Sequence, residues 1–258
     1  GKSYDNQLPV HSMSLGSLVE DCHALIDYTR ARFDTQKVFL VGHSDGTQIG
    51  LLTAHRYPEL IHAYVGVAQV INDYEQQKIS YDFVVEEAEK SGDMTKQNAI
   101  EAIGPPPYDS PQQMFEIARY IGQYGGFIHE SPIKKMGLLW LGYLTSPEYS
   151  FVEALNTMRG KGLNFTQDAR WEEIKRIDFT EEIQSIEIPI YFVMGKYDMI
   201  TPLVLVEEFY ENLKAESGKQ LFILENSAHF PSTEDKESYE DILINVVLPE
   251  SQENDGGK

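Results

Sequence analysis

The chain has 258 residues, 41% of them hydrophobic and 11% aromatic, enough for one large domain or a core domain carrying an insertion. Its formal net charge of -20 and pI near 4.6 argue against nucleic acid and anionic lipid as partners. The single cysteine, Cys22, excludes an internal disulfide and any multi-cysteine metal site, and no apolar run approaches the roughly 20 residues of a membrane span.

Residues 14–33 are predicted to form a helix, with Leu15, Leu18, Val19, Cys22, Ile26 and Phe33 at helical spacing. Residues 37–41 read as a short buried strand and 46–56 as a second helix, stopped before Pro58. Residues 63–70 form another apolar run of strand length. The stretch 71–184 then breaks the alternation. It carries helical patterns at 73–90, 111–124, 132–144 and 167–177, punctuated by Gly104-Pro105-Pro106-Pro107, Gly125-Gly126 and Ser146-Pro147. Two further strands are expected at 188–194 and 220–224, with a helix at 202–215 between them and a last helix at 236–247. Short apolar strands alternating with helices predict an α/β fold with a parallel sheet. The expected division is a core at 1–70 and 185–249, a helical cap inserted at 71–184, and a frayed acidic tail at 250–258. The polar opening at 1–8 is unlike a signal peptide. With the lone cysteine it suits a reducing compartment, and a cytoplasmic location is expected.

Gly42-His43-Ser44-Asp45-Gly46 matches G-x-S-x-G, directly after a predicted strand and at the start of a predicted helix. In that context the pattern predicts a strained turn that lifts the Ser44 hydroxyl above the sheet. The flanking glycines are expected because side chains there would clash with the neighbouring strand and helix. A serine hydroxyl is a poor nucleophile unless a base takes its proton. The expected order is serine, then acid, then histidine. Asp198 follows the strand at 188–194, and His229 follows the strand at 220–224. Both lie beyond the carboxyl ends of strands, where open α/β sheets build their sites. Ser44 is therefore the expected nucleophile, His229 the base and Asp198 the acid that orients it. The backbone N–H of Asp45 is an expected oxyanion donor.

The remaining candidates carry less. His43 is expected to pack beneath the turn. His129 and Glu130 lie in the cap, where they could touch substrate. No His-Glu-x-x-His or other metal spacing occurs. Gly1-Lys2-Ser3 resembles the end of a phosphate loop, but no strand is visible upstream and Pro9 interrupts a following helix. No metal or organic cofactor is expected.

Gly1-Lys2-Ser3-Tyr4, the run LVGHSDGTQIGLLTAHRYPELIHAYVGVAQVIN, the segment IGPPPY, and the runs GKYDMITP and ENSAHF resemble capped α/β-hydrolases related to prolyl aminopeptidases. The resemblance extends from Gly1 to about Pro249. It implies the α/β-hydrolase fold, a mainly parallel sheet with helices on both faces and an inserted helical cap. In that family three or four strands precede the Gly-Lys-Ser segment, and a His-Gly-Gly loop after one of them supplies half of the oxyanion hole. Only 43 residues precede Ser44, too few for those elements. The chain is therefore expected to lack its N-terminal strands, to expose the edge of strand 37–41 to chain association, and to be a poor enzyme alone. Relatives often carry Trp where this chain has Asp45, whose carboxylate must point away from a developing oxyanion.

The expected activity is hydrolysis of a small ester or a short peptide by an acyl-enzyme mechanism. Aminopeptidase and carboxylesterase compete within that class. A non-catalytic binding protein on a hydrolase scaffold is the alternative of another class.

Overall fold

The computed structural model describes residues 13–130 and 132–249; the Gly1-Lys2-Ser3 segment and the tail predicted at 250–258 lie outside them. Helix α1 (Leu15–Phe33) begins where the Ser14 side chain accepts from the Ser17 N–H and ends on Asp34 at φ 49, a left-handed stop. Strand β1 (Val38–His43), helix α2 (Gly46–Arg56) and strand β2 (Ile61–Val67) follow. The predicted second strand begins two residues early and ends at Val67 because Ala68 turns to φ 49.

Helices α3 (Asp73–Ser91), α4 (Met94–Ile103), α5 (Pro111–Gln123), α6 (Pro132–Thr145), α7 (Phe151–Met158), α8 (Lys161–Ile174) and α9 (Phe179–Glu182) fill the next stretch. Among its described residues the one β-type pairing is the isolated bridge between Asn72 and Asp178. Helices α4 and α7 are absent from the sequence expectation, although each carries its own start signal. The Asp93 side chain accepts from the N–H groups of Thr95 and Lys96, and Ser150 and Glu153 form a reciprocal capping box.

The chain returns to the sheet through β3 (Ser185–Ile186), β4 (Ile190–Gly195), α10 (Leu203–Asn212), β5 (Lys214–Ala215) and β6 (Lys219–Leu224). It closes with α11 (Pro231–Glu234) and α12 (Lys236–Asp241), the latter continuing as a π-helical turn over Ile242–Val247. The helix expected to reach 215 stops at Asn212, because Lys214 and Ala215 pair in parallel with Ser185 and Ile186.

The main sheet is parallel throughout, in the order β1-β2-β4-β6. Alternate residues point to opposite faces. Tyr64, Ile190, Phe192 and Met194 pack with α1, α2, α10 and several cap helices. Val65, Val67, Tyr191 and Val193 pack with Ile242 and Val247 on the other side. Both faces are thus covered, which is why β2 and β4 are nearly continuous apolar runs. The parallel direction also brings the carboxyl ends of β1, β4 and β6 to one edge of the sheet, beneath the helical stretch.

Candidate active site

Each polar residue of the site stands just beyond one of those strand ends. Ser44 follows β1 with φ 54, a left-handed conformation that costs a non-glycine residue energy and needs support from its surroundings. That support is visible. The Ser44 N–H donates to Val67 O at 3.0 Å. The Thr47 hydroxyl donates to Ser44 O at 2.6 Å and accepts from the Val70 N–H at 3.0 Å. A Cβ on Gly42 would lie 2.9 Å from Gly46 O and from Thr47 Cα, so the turn needs glycine there. Gly46 differs from expectation: nothing lies within 4 Å of a Cβ at that position. Only the first flanking glycine is sterically required.

The His229 ring bridges the other two candidates. Its Nε2 lies 2.8 Å from Ser44 Oγ, and its Nδ1 lies 2.9 Å from Asp198 Oδ2. A carboxylate can only accept, so Nδ1 donates and Nε2 is left to accept the serine proton. Asp198 is held by three further donors: the N–H groups of Ile200 and Thr201 on Oδ1, at 2.8 and 2.9 Å, and the Thr201 hydroxyl on Oδ2, at 2.6 Å. The His229 loop is fixed from outside by Glu234. Its carboxylate accepts from the Ala228 N–H and the His129 N–H, each at 2.8 Å. His43, expected to pack beneath the turn, instead lines the cavity in front of Ser44, with its ring beside those of His229 and Phe230. Its Nε2 is 2.8 Å from His229 O, and burial first, then the charge of His229, lowers its pKa below the usual histidine value.

A cavity of about 440 Å³ opens in front of Ser44. The core contributes Ser44, Asp45, His229 and Phe230, while α3, α5 and α8 contribute Gln77, Ile117 and Ile174 among others. The walls are largely apolar, with Asp73 at one side. Asp73 is 4% exposed and accepts from the Gln77 side chain. Burial, reinforced by Asp45, pushes its carboxyl up from 3.8 to about 7. Nothing in the sequence marks Asp73, since an acidic residue in the first turn of a helix ordinarily just complements the dipole. Neither His129 nor Glu130 lines the cavity. His129 instead stacks on Tyr197 with the ring centroids 3.5 Å apart, and Glu130 is exposed. Among the described residues no group of three or more His, Cys, Asp or Glu could hold a metal ion, and no helix is long and apolar enough to cross a membrane.

A family model described as "Serine aminopeptidase, S33" matches residues 1–99. The probable aminopeptidase YbaC of Bacillus subtilis (strain 168) is 28% identical over 245 residues, covering 94% of this chain and 75% of that protein. The chain has the α/β-hydrolase fold. It is also 22% identical over 225 residues to the proline iminopeptidase of Saccharolobus solfataricus, covering 83% of this chain and 63% of that protein. Its fold matches a solved proline iminopeptidase-related protein from Thermus thermophilus with a TM-score of 0.62 at 17% identity, over 97% of this chain and 76% of that one.

Proposed function

We propose that this hydrolase cleaves an ester or amide bond through an acyl-enzyme on Ser44. The observation that carries the proposal is the unbroken chain of hydrogen bonds from Ser44 through His229 to Asp198. Ser44 Oγ attacks the carbonyl carbon while His229 Nε2 takes its proton. Asp198 holds the ring and stabilises its cationic form, and the histidine then protonates the leaving group. Water repeats the sequence on the acyl-enzyme. The Asp45 N–H, at the positive end of α2, is a donor for the oxyanion.

Within this class the aminopeptidase reading is favoured. The names of the relatives point that way, and Asp73 supplies a buried carboxylate on the wall of a largely apolar cavity. An aminoacyl substrate would place its side chain against the apolar wall and its ammonium on Asp73. A carboxylesterase is the second reading, because apolar walls alone suffice for a small ester.

Two experiments test these readings. A fluorophosphonate probe should label the protein at Ser44 and leave Ser44→Ala unlabelled; an unlabelled wild type would favour a binding protein. Turnover of proline p-nitroanilide and p-nitrophenyl acetate should then be compared across pH. An amine-reading enzyme should show KM for the anilide falling as pH rises through about 7, where Asp73 ionises. The ester should lack that dependence, and Asp73→Asn should remove it from the anilide. An anilide KM indifferent to Asp73→Asn would leave the esterase reading.

A further inference from the structure

Asp45 sets the site a problem of charge. It directly follows Ser44, and a carboxylate there stands next to the place where negative charge develops if its own N–H is an oxyanion donor. Like charges brought together cost several kcal/mol in a water-poor site.

The structure holds an answer 125 residues further on. Arg170, on α8, is completely buried, with 0% of its side chain exposed. Its Nη2 donates to Gln48 Oε1 at 2.7 Å, and its Nη1 stands 3.4 Å from Asp45 Oδ2. Gln48, one turn into α2, donates through Nε2 to Asp45 Oδ1 at 2.9 Å. The two carboxylate oxygens of Asp45 are therefore each engaged, one by an amide that Arg170 itself orients and one by the guanidinium. A buried guanidinium is costly without a paired anion, and packing alone would be better served by an apolar side chain.

We infer that Arg170 is a positioning residue that neutralises the Asp45 carboxylate and keeps it turned from the oxyanion site, so that α8 is coupled to the nucleophile turn. This rests on the reading of Ser44 as nucleophile and of the Asp45 N–H as donor. The role is distinct from merely anchoring the cap. An anchor is needed whatever residue follows Ser44, whereas a neutralising charge is needed only while that residue is an anion.

The test is a double-mutant cycle on p-nitrophenyl acetate hydrolysis, with thermal melting of every variant. Arg170→Met should lower kcat by about 10- to 100-fold with little change in KM, as expected for an interaction felt mainly in the transition state. Asp45→Asn, which keeps the backbone N–H and removes the charge, supplies the second background, and its own kcat is the reference there. In the Asp45→Asn background, Arg170→Met should lose most of its effect on kcat even where it still lowers the melting temperature. Arg170→Lys should retain more activity than Arg170→Gln, and this pair carries the same comparison if the methionine variant does not fold. Equal losses of kcat from Arg170→Met in both backgrounds, on a wild type that Ser44-directed fluorophosphonate labels, would overturn the inference and leave Arg170 as a cap anchor. A wild type without label or turnover overturns the serine mechanism, and this role with it.

Discussion

At the scale of single residues, the site is an exercise in holding side chains in one state. Asp198 accepts from His229, from two backbone N–H groups and from Thr201. Asp198→Asn could keep those contacts in outline, yet its amide would present a donor where the imidazole needs an acceptor and would favour the wrong tautomer. The expected result is a fall in kcat on the order of 10⁴-fold with little change in melting temperature; a fall below tenfold would mean that another group orients His229. Asp73 behaves in the opposite sense. Its carboxyl is raised from 3.8 to about 7 in the folded chain, so the folded state binds a proton that the unfolded state releases. The contribution of this proton to stability is then fully present below about pH 4 and is lost as pH rises towards 7. Above that, Asp73→Asn should stabilise the protein by up to about 4 kcal/mol, and the difference should vanish below pH 4. Urea denaturation of both proteins at pH 4 and pH 8 measures it, and equal midpoints at pH 8 would show that Asp73 is ionised at no cost in the folded state. Ser44, Asp198 and His229 were legible in the sequence because each follows an apolar run of strand length. Asp73 and Arg170 were not. Asp73 takes its state first from burial and then from Asp45, and Arg170 is paired with Asp45 and Gln48, far away in the sequence, while locally each is an ordinary charged residue on a helix.

At the scale of elements, the sequence showed most clearly what is periodic or buried on both sides. Strands β1, β2, β4 and β6 are short apolar runs, and α1 and α2 carry regular spacing or a clear stop. The cap was legible as helical in outline only. Helices α4 and α7 escaped because they are short, at 10 and 8 residues, and bury one residue each, Ile100 and Ala154. Their apolar patterns therefore span too few turns to stand out. Gly195 shows how an element carries function without touching chemistry. It ends β4, and a Cβ there would sit 2.0 Å from Ala228 O. Backbone cannot yield as a flexible side chain can, so the strand and the His229 loop approach this closely only through glycine. Gly195→Ala should push the loop away and break the register between His229 and Ser44. Fluorophosphonate labelling should slow sharply while Ser44 itself is intact, and a labelling rate equal to wild type would show that the loop has room to shift.

At the scale of the whole molecule, two long-range effects oppose each other. Among the described residues β1 pairs with β2 alone, and a strand edge that stays open can pair with another strand. The strand is apolar from Val38 to Val41, and Val41 is 47% exposed. Such an edge favours pairing between copies of the chain. The net charge of -20 pushes copies apart, and that repulsion depends on salt. Screening lengths fall from about 30 Å at 0.01 M to about 3 Å at 1 M ionic strength. Edge pairing is short-ranged and apolar, so it survives the salt that removes the repulsion. Association should therefore grow with ionic strength, contrary to what attraction between opposite charges would give. Sedimentation velocity in dilute and molar sodium chloride reads this directly, with a slower species in dilute buffer and faster ones at high salt. Val41→Lys places a charge on the exposed edge and should suppress the faster species more than a lysine placed at Glu59, which changes the net charge further but lies outside the strand. Sedimentation that is indifferent to salt, or equally altered by the two lysines, would remove β1 as the surface through which copies meet.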